Sequence, residues 1–501
     1  MPVRIVVRLD SSVRIGTGHL MRCLTLADVL RQNGVGVIFA CRPLPGNMMS
    51  LIEARGHTLR TLPGDDPRDQ VEDLLPDWEK DAAGMAGILN DIGTVDWLIV
   101  DHYGLDYRWE RTIRPLVHRI MAIDDLANRR HECDLLLDQN LHPNQAGRYD
   151  KLIPYHCLRL LGPHYALLRQ EFQVARAGLQ TRDGAVRRLL IFFGGTDTNS
   201  ETAKALAAIP ALDKPHIEVD VIIGPGNPNL AKIRSLCARH PHIHLHRNPR
   251  NIAEIIRKAD LAVGAAGATT WERCCIGLPS VVITQAMNQE SVAHALAENR
   301  LAVYLGTSES VTADMIAAAI DNLMDDPGRV RAMSHACTYL VDARGTERVA
   351  RLLDSHRIVL RPAHRGDCDA LHRWRNAEET RHHSRQPGPI PLHRHRQWFD
   401  EILRDPGRAL LIGERDRQPV GVLRYDCEAK RCTVSVYLVP GQGGHGYGPR
   451  LLQAGHEWLR RNRAEVTLVR AEILESNRAS SNAFLQAGYR RQGDAYIKDL
   501  D

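Results

Sequence analysis

The chain has 501 residues, 44% of them hydrophobic and 25% charged, with a formal net charge of +5. That length exceeds one ordinary core and predicts about two to four domains. The composition is that of a globular chain, and the mild positive charge suits anionic small molecules as well as it suits nucleic acid. No apolar run approaches the ~20 residues that span a bilayer, and the N-terminus runs into a strand rather than a leader. The eleven cysteines show no paired spacing, so buried reduced thiols and a cytoplasmic setting are expected. Neither C-x-x-C nor H-E-x-x-H occurs. His382-His383 and His393-Arg394-His395 read as a solvated basic loop, and no metal is expected.

Residues 1–165 alternate short apolar runs with helical stretches, with strands expected at Val3–Leu9, Gly36–Ala40, Trp97–Asp101, Ile120–Ile123 and Leu135–Leu137. Such alternation predicts a parallel, doubly wound sheet with ligand-facing residues gathered at the strand ends. The stretch RLDSSVRIGTGHLMRCLTLADVL, Arg8 to Leu30, reads as a strand ending in Asp10, a tight loop and a helix with Leu20, Leu24, Ala27 and Leu30 on one face. Gly16 and Gly18 would let the backbone approach a ligand and take φ values closed to other residues. His19 at the loop mouth could take a proton from water, with Asp10 orienting it. Arg22, one turn further on, could hold a phosphate or a sugar oxygen. A plain turn followed by a capping or surface histidine fits the same spacing. Two other strand ends carry Asp101-His102-Tyr103 and Asp124-Asp125, the latter pair read as loop starters.

A second α/β unit is expected over 166–355. Its strand Leu189–Phe193 feeds Gly194, Gly195 and Thr196, whose N–H groups could cradle a diphosphate. Another strand ends at Val221–Asn229. In ADLAVGAAGATTWERCCIGLPSVVI a strand end at Ala262–Ala266 gives way to a small-residue loop, Gly267 to Thr270, and a helix from about Thr269. Glu272 lies in that helix's first turn, either as a charge favoured by the helix dipole or as an acceptor for ribose hydroxyls. The two units together read as facing domains with a ligand cleft between them.

Residues 356–501 form a third pattern. A strand, Ile358–Arg361, precedes a helix carrying Trp374-Arg375-Asn376. The surrounding Arg- and His-rich stretch lacks interleaved aromatics, so no nucleic-acid partner is expected. A strand at Thr433–Val439 then meets a loop with Gly444, Gly446 and Gly448, and a helix starts at about Pro449. A strand over Glu465–Glu472 follows, then Asn477, Ser480, Phe484, Gly488 and Tyr489.

Three of these stretches resemble known families. RLD-S-S-x-x-IG-x-GH-x-MRCLTLA resembles the N-terminal signature of the nucleotide-sugar hydrolases of pseudaminic acid biosynthesis, which release 2,4-diacetamido-2,4,6-trideoxy-L-altropyranose from its UDP-linked form. The resemblance implies His19 as general base, Tyr103 (in VDHYG) in the sugar pocket, and Asn288 and Gln289 beside the donor. G-A-x-T-x-x-E-x-x-x-x-G-x-P, from Gly267 to Pro279, resembles the donor site of glycosyltransferases with two facing Rossmann-like domains, which implies Glu272 on the ribose. The C-terminal pattern resembles the Gcn5-related (GNAT) N-acetyltransferases, which implies acetyl-CoA as co-substrate held near Gln442, Gly444, Gly446, Gly448, Asn477 and Ser480. Two departures stand out: Gly443 falls where that family has Arg or Gln, though Gln442 is adjacent, and Phe484 stands where a tyrosine often serves as general acid. Glu472 and Glu475 are candidate proton acceptors for the amine. The expected fold is α/β, two facing Rossmann-like (GT-B-like) domains followed by a GNAT domain. The expected partners are a UDP-sugar and acetyl-CoA, with no nucleic acid and no membrane. The expected activities are inverting UDP-sugar hydrolysis and 4-N-acetylation of its amino-sugar precursor. A glycosyltransferase, or a non-catalytic UDP-sugar-binding protein joined to an acetyltransferase of another amine, is the alternative.

Overall fold

The inner strands of the first sheet are buried along almost their whole length. A computed structural model describes residues 4–12, 14–62, 77–195, 197, 199–212, 216–224, 226–354, 358–382, 384, 387–415, 418–444, 446–474 and 476–500. Val3, Thr196, His383 and Glu475, singled out above, lie outside the described residues. The sheet consists of β1 (Arg4–Leu9), β2 (Gly36–Cys41), β3 (Thr58–Thr61), β4 (Trp97–Asp101), β5 (Arg119–Ile123), β6 (Leu135–Asp138) and β7 (Leu158–Leu161). Its order is β3-β2-β1-β4-β5-β6-β7, and every pairing is parallel. Successive side chains enter opposite layers: Ile5, Val7 and Leu9 join one core, and Val6 joins the other. A sheet covered on both faces therefore reads as a continuous apolar run.

The second sheet repeats the plan with β8 (Arg188–Phe192), β9 (Glu218–Ile223), β10 (Ile243–Arg247), β11 (Leu261–Ala265), β12 (Ser280–Thr284) and β13 (Ala302–Thr307), in the order β10-β9-β8-β11-β12-β13. These are the two Rossmann-like domains expected. The strand order reverses between β1 and β4 in the first sheet and between β8 and β11 in the second, and crevices at such points are where open α/β sheets bind ligands. After the second sheet the chain returns to the first. Helix Gly345–Leu353 places Val349, Ala350 and Leu353 in the same core as Leu20 and Leu24, the burial of Val349 and of Leu353 contributing roughly 1.5–3 kcal/mol each.

The chain divides into two compact units, residues 4–353 and residues 354–500. The C-terminal unit has a mixed sheet of β14 (Val359–Pro362), β15 (Arg408–Arg415), β16 (Gln418–Glu428), β17 (Arg431–Leu438), β18 (Leu468–Glu472), β19 (Arg490–Gln492) and β20 (Ala495–Asp499). Its order is β14-β15-β16-β17-β18-β20-β19, with β17–β18 the parallel pair. Two expectations are corrected here. Cys427 and Cys432 are joined by a disulfide, because the turn between β16 and β17 sets a register in which they face each other; the other nine cysteines are free. His395, read as part of a solvated loop, is buried on helix Leu392–Arg404 among the rings of His372, Trp398 and Phe399.

Candidate functional site

The loop leaving β1 is closed by its own backbone. Gly16 N donates to Ser12 O at 2.9 Å, and Ile15 N to Ser12 Oγ at 3.0 Å. Gly16 has φ +79°, in the left-handed region that favours glycine. Gly18 takes no such φ; it is the first residue of helix Gly18–Gln32, and open space surrounds it. His19 follows, its Nδ1 2.6 Å from Asp101 Oδ1 at the end of β4. That pairing joins the two strands of the switch point, since Leu9 and Asp101 are partners in the ladder. A carboxylate at Nδ1 selects the Nδ1–H tautomer and leaves the Nε2 lone pair available. Among the described residues, no protein group hydrogen-bonds Nε2.

Arg22 points the same way. Its Nε and Nη2 donate to Asp101 at 2.6 and 2.5 Å, and its Nη1 reaches Asp125 Oδ2 at 3.2 Å. Tyr103 OH donates to Asp125 Oδ1 at 2.8 Å, and its ring stands edge-on to His19 with centroids 4.7 Å apart. Burial opposes the charge of Asp101, yet Arg22 and His19 outweigh it and hold the carboxyl well below the usual range. Burial and the neighbouring Asp125 push the Tyr103 hydroxyl up, so it stays a neutral donor. Arg22 therefore braces two carboxylates, and a phosphate would have to compete with both.

Asp10 is not the partner of His19. It accepts from Arg8 Nη1 at 2.7 Å, Arg42 N at 2.8 Å and Arg42 Nε at 2.7 Å, and contacts His102 Nε2 at 3.1 Å. Gly104 N donates to His102 Nδ1 at 2.9 Å, so Nε2 is the protonated nitrogen facing Asp10. This buried network organises the strand ends behind the loop. In the sequence Asp101 stands out as a strand-end residue, but nothing there marks it as the carboxylate on His19. Asp124 does start a turn, accepting from Ala127 N at 2.9 Å; Asp125 instead joins the site.

In the second domain Gly194 has φ +91°. A Cβ on Gly195 would lie 3.3 Å from Thr17 Oγ1, so the glycine loop after β8 meets the histidine loop after β1. A Cβ on Gly224 would fall 2.1 Å from Gly195 O, an approach only glycine permits. Asp197 secures the next helix by accepting from Glu201 N at 2.9 Å and Thr202 N at 3.0 Å. Glu272, in helix Thr269–Cys275, accepts from Arg169 Nη2 at 3.0 Å. Gln289 Oε1 accepts from Gln285 N at 3.0 Å, and its Nε2 lies 3.7 Å from where Gly267 would carry a Cβ. Asn288 is exposed on the short turn before it.

In the C-terminal unit β17 and β18 pair only from Arg431–Leu468 to Thr433–Arg470, and β17 then runs on to Leu438 without that partner. The loop beyond has Gly441, Gly444 and Gly446 at φ +81°, +79° and +72°. Its helix, Tyr447–Asn462, starts two residues before the expected Pro449. Gln442 N donates to Val439 O at 3.0 Å. A Cβ on Gly448 would lie 3.2 Å from Ala483 Cβ, which fixes the approach of the last helix. Asn477 Oδ1 caps that helix by accepting from Ser480 N at 3.0 Å. Phe484 is buried edge-on to Tyr489 (centroids 4.8 Å), whose hydroxyl lies 2.9 Å from His456 Nε2. Glu472 pairs with Arg470 at 3.1 Å. Among the described residues no cluster of three or more His, Cys, Asp or Glu could hold a metal ion, and no helix is long and apolar enough to cross a membrane.

Residues 357–490 match the Acetyltransferase (GNAT) domain family, and residues 189–349 match the Glycosyltransferase family 28 C-terminal domain. The chain is similar to the UDP-2,4-diacetamido-2,4,6-trideoxy-beta-L-altropyranose hydrolase of Campylobacter jejuni subsp. jejuni, at 28% identity over 300 residues, 59% of this chain and 97% of that protein. It is also similar to the spore coat polysaccharide biosynthesis protein SpsG of Bacillus subtilis, at 26% identity over 193 residues, 38% of this chain and 57% of that one. Among solved structures, MurG of Acinetobacter baumannii matches with a TM-score of 0.50 and 15% identity over 70% of this chain and 99% of its own, a likeness of fold alone. The first two domains are thus GT-B-like and related to sugar-nucleotide enzymes, and the mixed-sheet domain after them is GNAT-like.

Proposed function

We propose that the chain hydrolyses UDP-2,4-diacetamido-2,4,6-trideoxy-beta-L-altropyranose to UDP and the free sugar, and that its C-terminal domain acetylates the 4-amino group of the UDP-linked precursor. The observation that carries the first half is His19, held by Asp101 at the switch point with its Nε2 free of protein partners among the described residues. The similarity to the Campylobacter hydrolase, which spans 97% of that protein, supports the substrate. Water would attack the anomeric carbon while its proton passes to His19 Nε2. The carbon–oxygen bond would break with its electron pair leaving on the UDP, and the centre would invert. Tyr103 would orient a sugar oxygen, N–H groups of the Gly194–Gly195 loop would meet the diphosphate, and Glu272 would accept the ribose hydroxyls once Arg169 yields it.

For the second half, the divergence of β17 from β18 and the three left-handed glycines form a cradle that fits acetyl-CoA. Gly444 and Gly446 would face its diphosphate, with Gln442, Gly448, Asn477 and Ser480 shaping the turn and the helix beside it. Acetyl-CoA would supply the acyl group. The amine would attack the thioester carbonyl, and the carbon–sulfur bond would break with its electron pair on the coenzyme A thiolate. That thiolate would take its proton from water or a group other than Phe484, since that residue lacks a hydroxyl. Of the candidate acceptors for the amine's proton, Glu472 is engaged with Arg470. N-acetylation followed by removal of UDP would make the two activities successive steps on one substrate.

The test is to incubate the purified chain with the UDP-4-amino sugar and follow products by NMR, with and without acetyl-CoA. Acetyl-CoA-dependent conversion to the diacetamido form, then UDP release without any added acceptor, is the expected course. The MurG-like fold favours one rival, a glycosyltransferase, which would release UDP only when an acceptor is supplied.

A further inference from the structure

Beneath the crevice of the second domain lies a cation with no counter-ion among the described residues. Strands β8 and β11 meet at the switch point, paired at Phe192–Gly264, and the loops Gly194–Gly195 and Ala266–Ala268 leave from their carboxyl ends. The guanidinium of Arg273, 1% exposed, packs against this junction. A Cβ on Gly264 would fall 2.9 Å from Arg273 Nη1 and 2.5 Å from Phe192 O, so glycine at 264 is what admits the side chain.

The guanidinium is met by neutral acceptors. Nη2 donates to Ala265 O at 2.7 Å and Thr270 Oγ1 at 3.3 Å, Nε to Ser280 Oγ at 3.0 Å, and Nη1 to Thr269 Oγ1 at 3.1 Å. Among the described residues no carboxylate pairs with it; the adjacent Glu272 gives its oxygen to Arg169 instead. The contrast with the other deeply buried arginines is plain, since Arg8 has Asp10 and Asp81, and Arg22 has Asp101 and Asp125. Burial also lowers the Arg273 pKa from its ordinary value. Buried charges are as a rule paired, because an uncompensated one is costly. A fixed positive charge behind two loops at a ligand crevice gains its balance when an anion arrives in front of them.

We propose that Arg273 is a positioning residue whose charge is balanced by the diphosphate of the bound nucleotide, raising its affinity without touching it. The inference rests on the reading of this cleft as a UDP-sugar site, and its test separates the two. The full-length protein is titrated with UDP by calorimetry, with uridine by ligand-observed NMR, and with inorganic pyrophosphate as a competitor of UDP. Wild type is expected to bind UDP and to yield it to pyrophosphate. Arg273→Met is expected to weaken UDP by about tenfold or more while uridine stays within about twofold, and Arg273→Lys to hold UDP within about threefold of wild type. An equal loss for UDP and uridine in Arg273→Met, or no loss at all, overturns the inference. Should Arg273→Met fail to fold, the lysine variant decides: a role as a hydrogen-bonding brace predicts that it loses both ligands, and that result overturns the charge role. Pyrophosphate that fails to displace UDP from wild type overturns the inference and leaves the UDP site standing. A wild type that binds no UDP overturns both.

Discussion

Replacing Asp101 with Asn tests how the candidate hydrolytic site works. The amide keeps the shape of the side chain but removes the charge that receives His19 Nδ1 and the Nε and Nη2 of Arg22. An amide can also turn its NH2 toward Nδ1 and so select the opposite tautomer, putting a proton on Nε2 where a lone pair is needed. General-base assistance is worth ~10²–10⁴ in rate, and exchanging the orienting carboxylate of a hydrolytic triad for an amide costs ~10⁴. We expect UDP release to fall by ~10³ or more, about 4 kcal/mol of transition-state stabilisation. Stability should fall as well, because removing one member of a buried ion pair costs ~3–5 kcal/mol. The loss should be at or below the lower end of that range, since Arg22 keeps Asp125 at 3.2 Å. The assay compares UDP release rates, UDP affinity and urea unfolding for Asp101→Asn and for Asp101→Asn combined with Arg22→Met. The double variant should recover part of that stability, by removing a cation that has lost one of its two carboxylates, but not rate. A single variant within about threefold of the wild-type rate, or a double variant that regains it, would refute the reasoning.

Further expectations concern the ligand cradles and acid stability. Glu272→Gln should weaken UDP by ~10-fold or more, the worth of a charged hydrogen bond, while the dissociation constant of pyrophosphate stays unchanged; unchanged UDP affinity would remove Glu272 from the ribose. Gly446→Val forces a β-branched residue to φ +72°, a strain of ~1–2 kcal/mol, and should abolish acetyl transfer while leaving UDP release intact; loss of both would contradict independent sites. In acid, burial opposes the charges of Asp10 and Asp101, but Arg8 and Arg22 prevail and both carboxyls sit well below their usual range. A depressed native pKa contributes stability that is fully present above the unfolded value, ~3.9, and is lost as pH falls toward the native one. Urea midpoints should therefore decline below about pH 4, and less steeply in Asp10→Asn; equal midpoints at about pH 3 and pH 7 would contradict this.

The sheets were legible wherever both faces are covered, because such strands read as unbroken apolar runs: β1, β4 and β5 lie within one or two residues of their expected places. The edge strands β3 and β7 were not. TLRT and LRLL are four residues long and only partly buried, and they owe their pairing to neighbours distant in sequence. The loop carrying His19 announced itself through its glycines, but its carboxylate partner did not. Asp101 is 82 positions away, and only the β1–β4 ladder brings it to the ring, while the nearer Asp10 is claimed by Arg8, Arg42 and His102. Nothing in the sequence singles out Arg273; its neutral surroundings depend on the glycine at 264, which no periodicity reveals.

The account's central claim is that water activated by His19 attacks the sugar carbon of a UDP-sugar. Hydrolysis of UDP-2,4-diacetamido-2,4,6-trideoxy-beta-L-altropyranose in ¹⁸O-labelled water, with wild type and His19→Ala side by side, measures it most directly. The account predicts label in the sugar alone, an inverted anomeric centre in the first product, and loss of turnover with retained UDP binding in His19→Ala. Label in the UDP, or an alanine variant as active as wild type, would contradict it.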